Sequence, residues 1–144
     1  MRLSLTKRGE YAVRLVLQLA TAGGRVTATD LGLVCDIPPG NVPTIVNILS
    51  RAGILSCSPG RGGGCALGRP AADITMLEVI EAIEGPLASR CVLDSGLCGM
   101  KDQECALHSA WSKGRDAVIS TLRATSVADA AARERRIVER AEAG

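Results

Sequence analysis

Apolar residues recur every three or four positions from about Thr6 to Ala22. Tyr11, Leu15, Val16 and Leu19 fall on one helical face, and Arg14, Gln18 and Thr21 on another. Gly23-Gly24 predicts the end of this helix. Thr27, three residues before Asp30, predicts a capped short helix reaching about Cys35. Pro38-Pro39-Gly40 predicts a turn, because proline fixes its own torsion and restricts its predecessor. A third helix is expected from about Asn41 to Ala52, burying Val42, Ile45, Val46 and Leu49, with Pro43 tolerated in its first turn. Asn41, Thr44, Asn47 and Arg51 make up its outward face.

Two short strands are expected next, at about Ile54–Ser58 and Cys65–Leu67, joined by Pro59-Gly60-Arg61-Gly62-Gly63-Gly64. Alternation puts Leu55, Cys57, Cys65 and Leu67 on one side, toward the core. Helix, short helix, turn, helix and hairpin follow one another as in a winged helix, whose third helix enters the major groove while the hairpin lies along the DNA backbone or minor groove. Thr75-Met76-Leu77-Glu78 predicts a capping box for a helix ending at Gly85-Pro86. Residues 86–104 show no period and read as a loop. From about Cys105 to Arg123 periodicity returns, with Leu107, Ala110, Trp111, Gly114, Val118, Thr121 and Leu122 tracing a seam suited to a dimer contact or to packing on its own subunit. The fold class is mainly α with a small β-hairpin: a winged helix-turn-helix plus a long dimerisation helix. The expected division is a DNA-binding domain at 1–70, a cluster loop and dimerisation helix at 71–125, and a weakly ordered tail at 126–144.

Composition narrows the function. The 144 residues hold Tyr11, Trp111 and no Phe, so the core is aliphatic and a base-stacking surface for single strands is disfavoured. Residues 1–70 carry eight Lys/Arg against three acids, whereas the remainder carries nine against twelve. A basic half joined to an acidic half suits a polyanion-binding lobe with a separate sensing or assembly lobe. Arg14 and Gln18 interrupt the apolar stretch that a secretory signal needs, and no segment approaches a membrane span, so a cytoplasmic protein without a membrane partner is expected. One histidine and no nucleophile–base pair argue against an enzyme.

Cys91, Cys98, Cys105 and His108 lie within 18 residues. Thiolates are soft ligands that suit an iron–sulfur cluster or zinc, and a loop can wrap them around an inorganic core. Structural zinc usually uses two cysteines two residues apart, which this segment lacks, so the spacing favours a cluster. Cys35, Cys57 and Cys65 read instead as small core residues, although Cys57 and Cys65 stand where a hairpin can bring them together. Arg61 among glycines is unobstructed and suits a narrow, negative minor groove, with Gly62 and Gly63 permitting close approach.

These features resemble the bacterial winged-helix iron–sulfur regulators of the IscR, NsrR and RirA type. The resemblance is carried by Met1-Arg2-Leu3-Ser4, Lys7-Arg8-Gly9-Glu10-Tyr11-Ala12-Val13-Arg14, Gly60-Arg61-Gly62-Gly63-Gly64, Leu67-Gly68-Arg69-Pro70, Val79-Ile80-Glu81-Ala82-Ile83-Glu84-Gly85-Pro86 and Cys105-Ala106-Leu107 with Trp111. It implies a homodimer on a palindromic double-stranded operator, acting as a repressor that senses iron–sulfur status, redox state or nitric oxide. It also implies a cluster on Cys91, Cys98 and Cys105. His108 matches the histidine of the 2Fe-2S type and is the favoured fourth ligand. Glu10 is the alternative, falling where some relatives place an acidic ligand, though a surface pair with Arg14 is its plainer role. Each gap between cysteines is one residue longer than in the IscR pattern, which keeps 4Fe-4S open. The expected DNA-contacting residues are Arg2, Asn41, Thr44, Asn47, Arg51, Arg61, Gly62 and Gly63. The alternative is a zinc-stabilised or thiol-switch regulator of the same fold without a cluster.

Overall fold

A computed structural model describes residues 3–91 and 106–144; Arg2, Cys98 and Cys105 lie outside the described residues. Helix α1 spans Lys7–Ala22, capped by Thr6, whose side chain accepts from the Gly9 amide, and closed by Gly23 in the left-handed conformation. Helix α2, Ala28–Val34, starts at Thr27 with the expected bond from the Asp30 amide. The proline turn leads into α3, Val42–Arg51, with Pro43 in its first turn. Strands β1, Leu55–Ser58, and β2, Gly64–Leu67, pair antiparallel with Leu55 opposite Leu67 and Cys57 opposite Cys65. Helix α4 is Met76–Glu84, α5 is His108–Ala124 and α6 is Val127–Ala143.

One aliphatic core unites these elements. Leu15 and Val16 of α1, Leu31 of α2, Ile45 and Leu49 of α3, Val79 of α4 and Val127 of α6 are all fully buried in it. The period-3.6 stripes of α1 and α3 therefore pack as their spacing dictates, except that Tyr11 and Val46 are only half-buried.

Three expectations are corrected. Cys57 is exposed, because only Leu55 of β1 reaches the core and the strand then runs out past it. The tail from Ser126 is a 17-residue helix docked on α1, not a weakly ordered segment. A capping box between Ser126 and Asp129 starts it, Val127 and Ala131 are buried, and the Val127 amide donates to the Ile74 carbonyl at 2.8 Å. Finally, α5 begins at His108 rather than near Cys105, after a turn that offers no capping side chain.

The capping box on α4 forms as the sequence predicts. Glu78 accepts from the Thr75 amide at 2.8 Å and from Arg69 at 2.7 Å. The backbone bond from Thr75, followed by the Arg69 contacts, holds its carboxyl below the ordinary value of 4.5 despite some burial. A depressed folded value stabilises the fold above the unfolded value, and that contribution is lost as pH falls through the folded one. Both side chains are more than a third exposed, so screening limits the effect. Glu78→Gln should cost about 0.5 kcal/mol at neutral pH, and the gap to wild type should close as acid denaturation is approached below pH 4.5. Urea melts at the two pH values check this.

Candidate nucleic-acid interface and cysteine segment

The helix-turn-helix sets α3 against the hairpin. On α3, Thr44, Asn47 and Arg51 are exposed, while Asn41 is half-buried and its side chain makes no capping bond. Hydroxyl, amide and guanidinium groups therefore line a helix face whose opposite side is locked in the core, the arrangement that presents donors and acceptors to base edges.

Backbone geometry shapes the hairpin tip. Gly64 has φ 115° and a side chain there would lie 2.7 Å from the Val26 carbonyl oxygen, while one on Gly63 would lie 2.3 Å from that of Ser58. The glycines are thus required by a tight loop packed on its own backbone, which accounts for more of the glycine run than the sequence suggested. Arg61 and Gly62 remain exposed at the tip, and Gly63 is half-buried. Arg25 pins the hairpin: its Nη1 donates to the carbonyls of Ser56 at 3.2 Å and Gly64 at 3.0 Å. Val26 and Cys65 exchange backbone hydrogen bonds beside it. Nothing in the local pattern signals this role, because both partners are backbone oxygens more than thirty positions away.

The two ends of the cysteine segment meet at the root of α5. Trp111 Nε1 donates to the Arg90 carbonyl at 2.8 Å, which holds the residue before Cys91 against the helix that begins with His108. Arg90 in turn donates to Glu84, both at its carbonyl and, at 3.5 Å, at its carboxylate. Glu84, largely buried, also accepts from the Thr6 amide at 2.9 Å and hydroxyl at 2.6 Å. A side chain on Gly9 would strike this carboxylate at 2.3 Å, which explains the glycine inside the first turn of α1. Glu84 therefore ties the start of α1 to the entry of the cysteine segment, a role spanning 78 positions that no local pattern reveals.

Glu10 takes its plainer role. It pairs with Lys7 at 2.9 Å and with Arg14, and the Lys7 hydrogen bond, followed by the two positive charges, keeps its carboxyl below the ordinary range. Cys35 is buried, and desolvation pushes its thiol up, as befits an inert core residue. Among the described residues no three His, Cys, Asp or Glu side chains converge as a metal site; Cys98 and Cys105 lie outside them. Cys91 and His108 stand at the two ends of the segment that the Trp111–Arg90 bond brings to the root of α5, and sulfur and imidazole are donors of the kind a soft metal takes.

Helix α5 divides into two faces. Ile119 is buried, and Trp111, Arg115 and Leu122 are half-buried against the chain's own body. Leu107, Ala110, Gly114, Val118 and Thr121 point outward, with Leu107 48% and Val118 53% exposed, so most of the expected seam does not pack on its own subunit. Among the described residues no helix is long and apolar enough to cross a membrane.

A helix-turn-helix with a hairpin wing, followed by a long helix that turns one face outward, defines a winged-helix transcriptional regulator. Residues 5–133 match the Rrf2 family, described as iron-dependent transcriptional regulators, and the chain belongs to that family. It is 37% identical over 131 residues to the putative HTH-type transcriptional regulator Rv1287 of Mycobacterium tuberculosis, covering 88% of this chain and 80% of that one. It is 30% identical over 126 residues to the HTH-type regulator IscR of Photorhabdus laumondii, covering 85% and 76%. Its fold superposes on CymR, the global cysteine regulator of Bacillus subtilis, with a TM-score of 0.76 and 26% identity over 91% of this chain and 98% of that one.

Proposed function

We propose that this chain is a cytoplasmic homodimeric repressor whose grip on a palindromic operator is set by an iron–sulfur cluster held by Cys91, Cys98, Cys105 and His108. The observation that carries it is the Trp111–Arg90 hydrogen bond, which closes the cysteine segment onto the first turns of α5. When bound, the cluster supplies a centre that responds to redox state or nitric oxide. The chain's own residues do the rest. Arg90 and Trp111 fix where Cys91 enters, and His108, at the start of α5 in the same segment, is preferred over Glu10 as the fourth ligand because it matches the histidine of the 2Fe-2S type. A 2Fe-2S centre is favoured, with 4Fe-4S the other option.

The outward seam of α5 receives the same seam of a second copy. Any rearrangement of the segment at its root then alters the spacing of the two α3 helices, which shifts the population able to bind DNA. Thr44, Asn47 and Arg51, with Asn41 at the helix start, read base edges, and Arg61 with Gly62 and Gly63 enters the minor groove. Arg2 reaches the backbone. A second reading, a zinc-held or thiol-switch regulator without a cluster, draws on the likeness to CymR.

Iron and acid-labile sulfide per chain, measured on air-free protein, separate these readings: iron with equal sulfide supports the cluster, and zinc without sulfide supports the second reading. The same protein should enrich two-fold symmetric duplexes from a random pool. On such a duplex Arg61→Ala should weaken binding by about tenfold and flatten the dependence of log K on log salt by about two counterions per dimer. Titrations at several salt concentrations give both values.

A further inference from the structure

The wing carries two sulfurs that this reading leaves unused. Cys57 and Cys65 are register partners across the antiparallel hairpin, with Cα atoms 4.1 Å apart and their sulfurs joined. They differ in access: Cys57 is exposed, whereas Cys65 is 3% exposed and its backbone is fastened to Val26 by bonds of 2.7 and 2.9 Å. The Cys57 sulfur also lies 3.6 Å from the Ser50 hydroxyl, in the last turn of α3. The pair therefore sits where the recognition helix meets the wing, and it closes the loop that displays Arg61.

We propose that Cys57 and Cys65 form a dithiol–disulfide couple that tunes the wing, with a low-molecular-weight disulfide as its oxidant. The inference rests on the reading of the hairpin as a DNA-contacting wing, and its chemistry can be followed without DNA. The Cys57 thiolate, being accessible, attacks one sulfur of the small disulfide; that S–S bond breaks and one small thiolate leaves. The Cys65 thiolate then attacks the Cys57 sulfur in the mixed disulfide and expels the second. Two electrons pass from the protein dithiol to the small disulfide, and the two protons given up by Cys57 and Cys65 end on the two small thiols. Excess small thiol runs the sequence backwards.

Closing this bond restrains a segment that includes Gly60, Gly62, Gly63 and Gly64, residues with much backbone freedom to lose. A loop ordered beforehand pays less on binding, so the disulfide form holds DNA more tightly.

The test equilibrates the full chain, air-free, with oxidised and reduced glutathione at graded ratios. Trypsin cuts after Arg61, so the disulfide alone holds Cys57 and Cys65 peptides together for mass analysis. Binding is measured on the duplex that the protein selects. The expected results are a reversible cross-link and an affinity about three- to tenfold higher when it forms, with Cys57→Ser and Cys65→Ser fixed at the lower value. Both variants keep the cysteines of the 91–108 segment, so an oxidant effect transmitted through that segment would survive in them. A response in Cys57→Ser equal to wild type, absence of the cross-link at every ratio, or a cross-link without change in affinity would each overturn the proposal. If no duplex is selected by any form, the DNA reading fails and the tuning role falls with it, while the cross-link still reports on the chemistry.

Discussion

Val118→Glu should convert the protein to monomers and lower its affinity for a two-fold symmetric operator by at least about a hundredfold. Val118 is 53% exposed on the outward face of α5, one position from buried Ile119. A glutamate there meets solvent in the single subunit and is a good helix former, so the fold itself should melt within about 0.5 kcal/mol of wild type. In a dimer sealed along this seam the same carboxylate is buried without a partner, which costs several kcal/mol on each side. The magnitude on DNA follows from linkage of two half-site contacts, whose joint binding exceeds that of either alone by about 10²–10⁴. Sedimentation, a thermal melt and a duplex titration on one preparation give all three quantities. A dimer that survives, or a monomer that binds as tightly as wild type, would remove α5 from the assembly.

The second large effect is expected from Cys98→Ala, which should reduce cluster iron to near zero and abolish the change in operator affinity that iron loading produces. In the proposed site three thiolates and one imidazole make up the four ligands, and losing one thiolate would leave too few soft donors to retain iron against solvent. His108→Ala should retain part of the iron with an altered Mössbauer spectrum, because the sulfur ligands remain. Glu10→Ala should leave the spectrum unchanged and remove only the surface pairs with Lys7 and Arg14. The reverse pattern would move the fourth ligand to α1.

Much of this was readable from residue order alone, and the exceptions have physical causes. Helices α1 and α3 announce themselves because each carries an aliphatic stripe at helical spacing with a turn-former behind it; Leu15, Ile45 and Leu49 are buried as that pattern requires. Helix α6 is faint in the sequence because alanine and alternating charge give it little apolar contrast; its local signal is the Ser126–Asp129 cap. Cys57 faces solvent since alternation names a side of a strand but not where the core ends. The seam of α5 included Trp111 and Leu122 from the inner face and missed Ile119, because a helix with apolar residues on two sides has no single stripe. Glu84 and Arg25 were invisible for another reason: each acts on partners far away in sequence, and only folding brings them near.

The central claim is that a group held beside α5 governs the grip of two α3 helices on DNA. It is tested most directly by titrating one selected duplex with a single air-free preparation, first as isolated, then stripped of iron by chelation, then reloaded with iron and sulfide. Affinity should change on stripping and return on reloading, in proportion to the iron bound. Identical binding curves in all three states would contradict it.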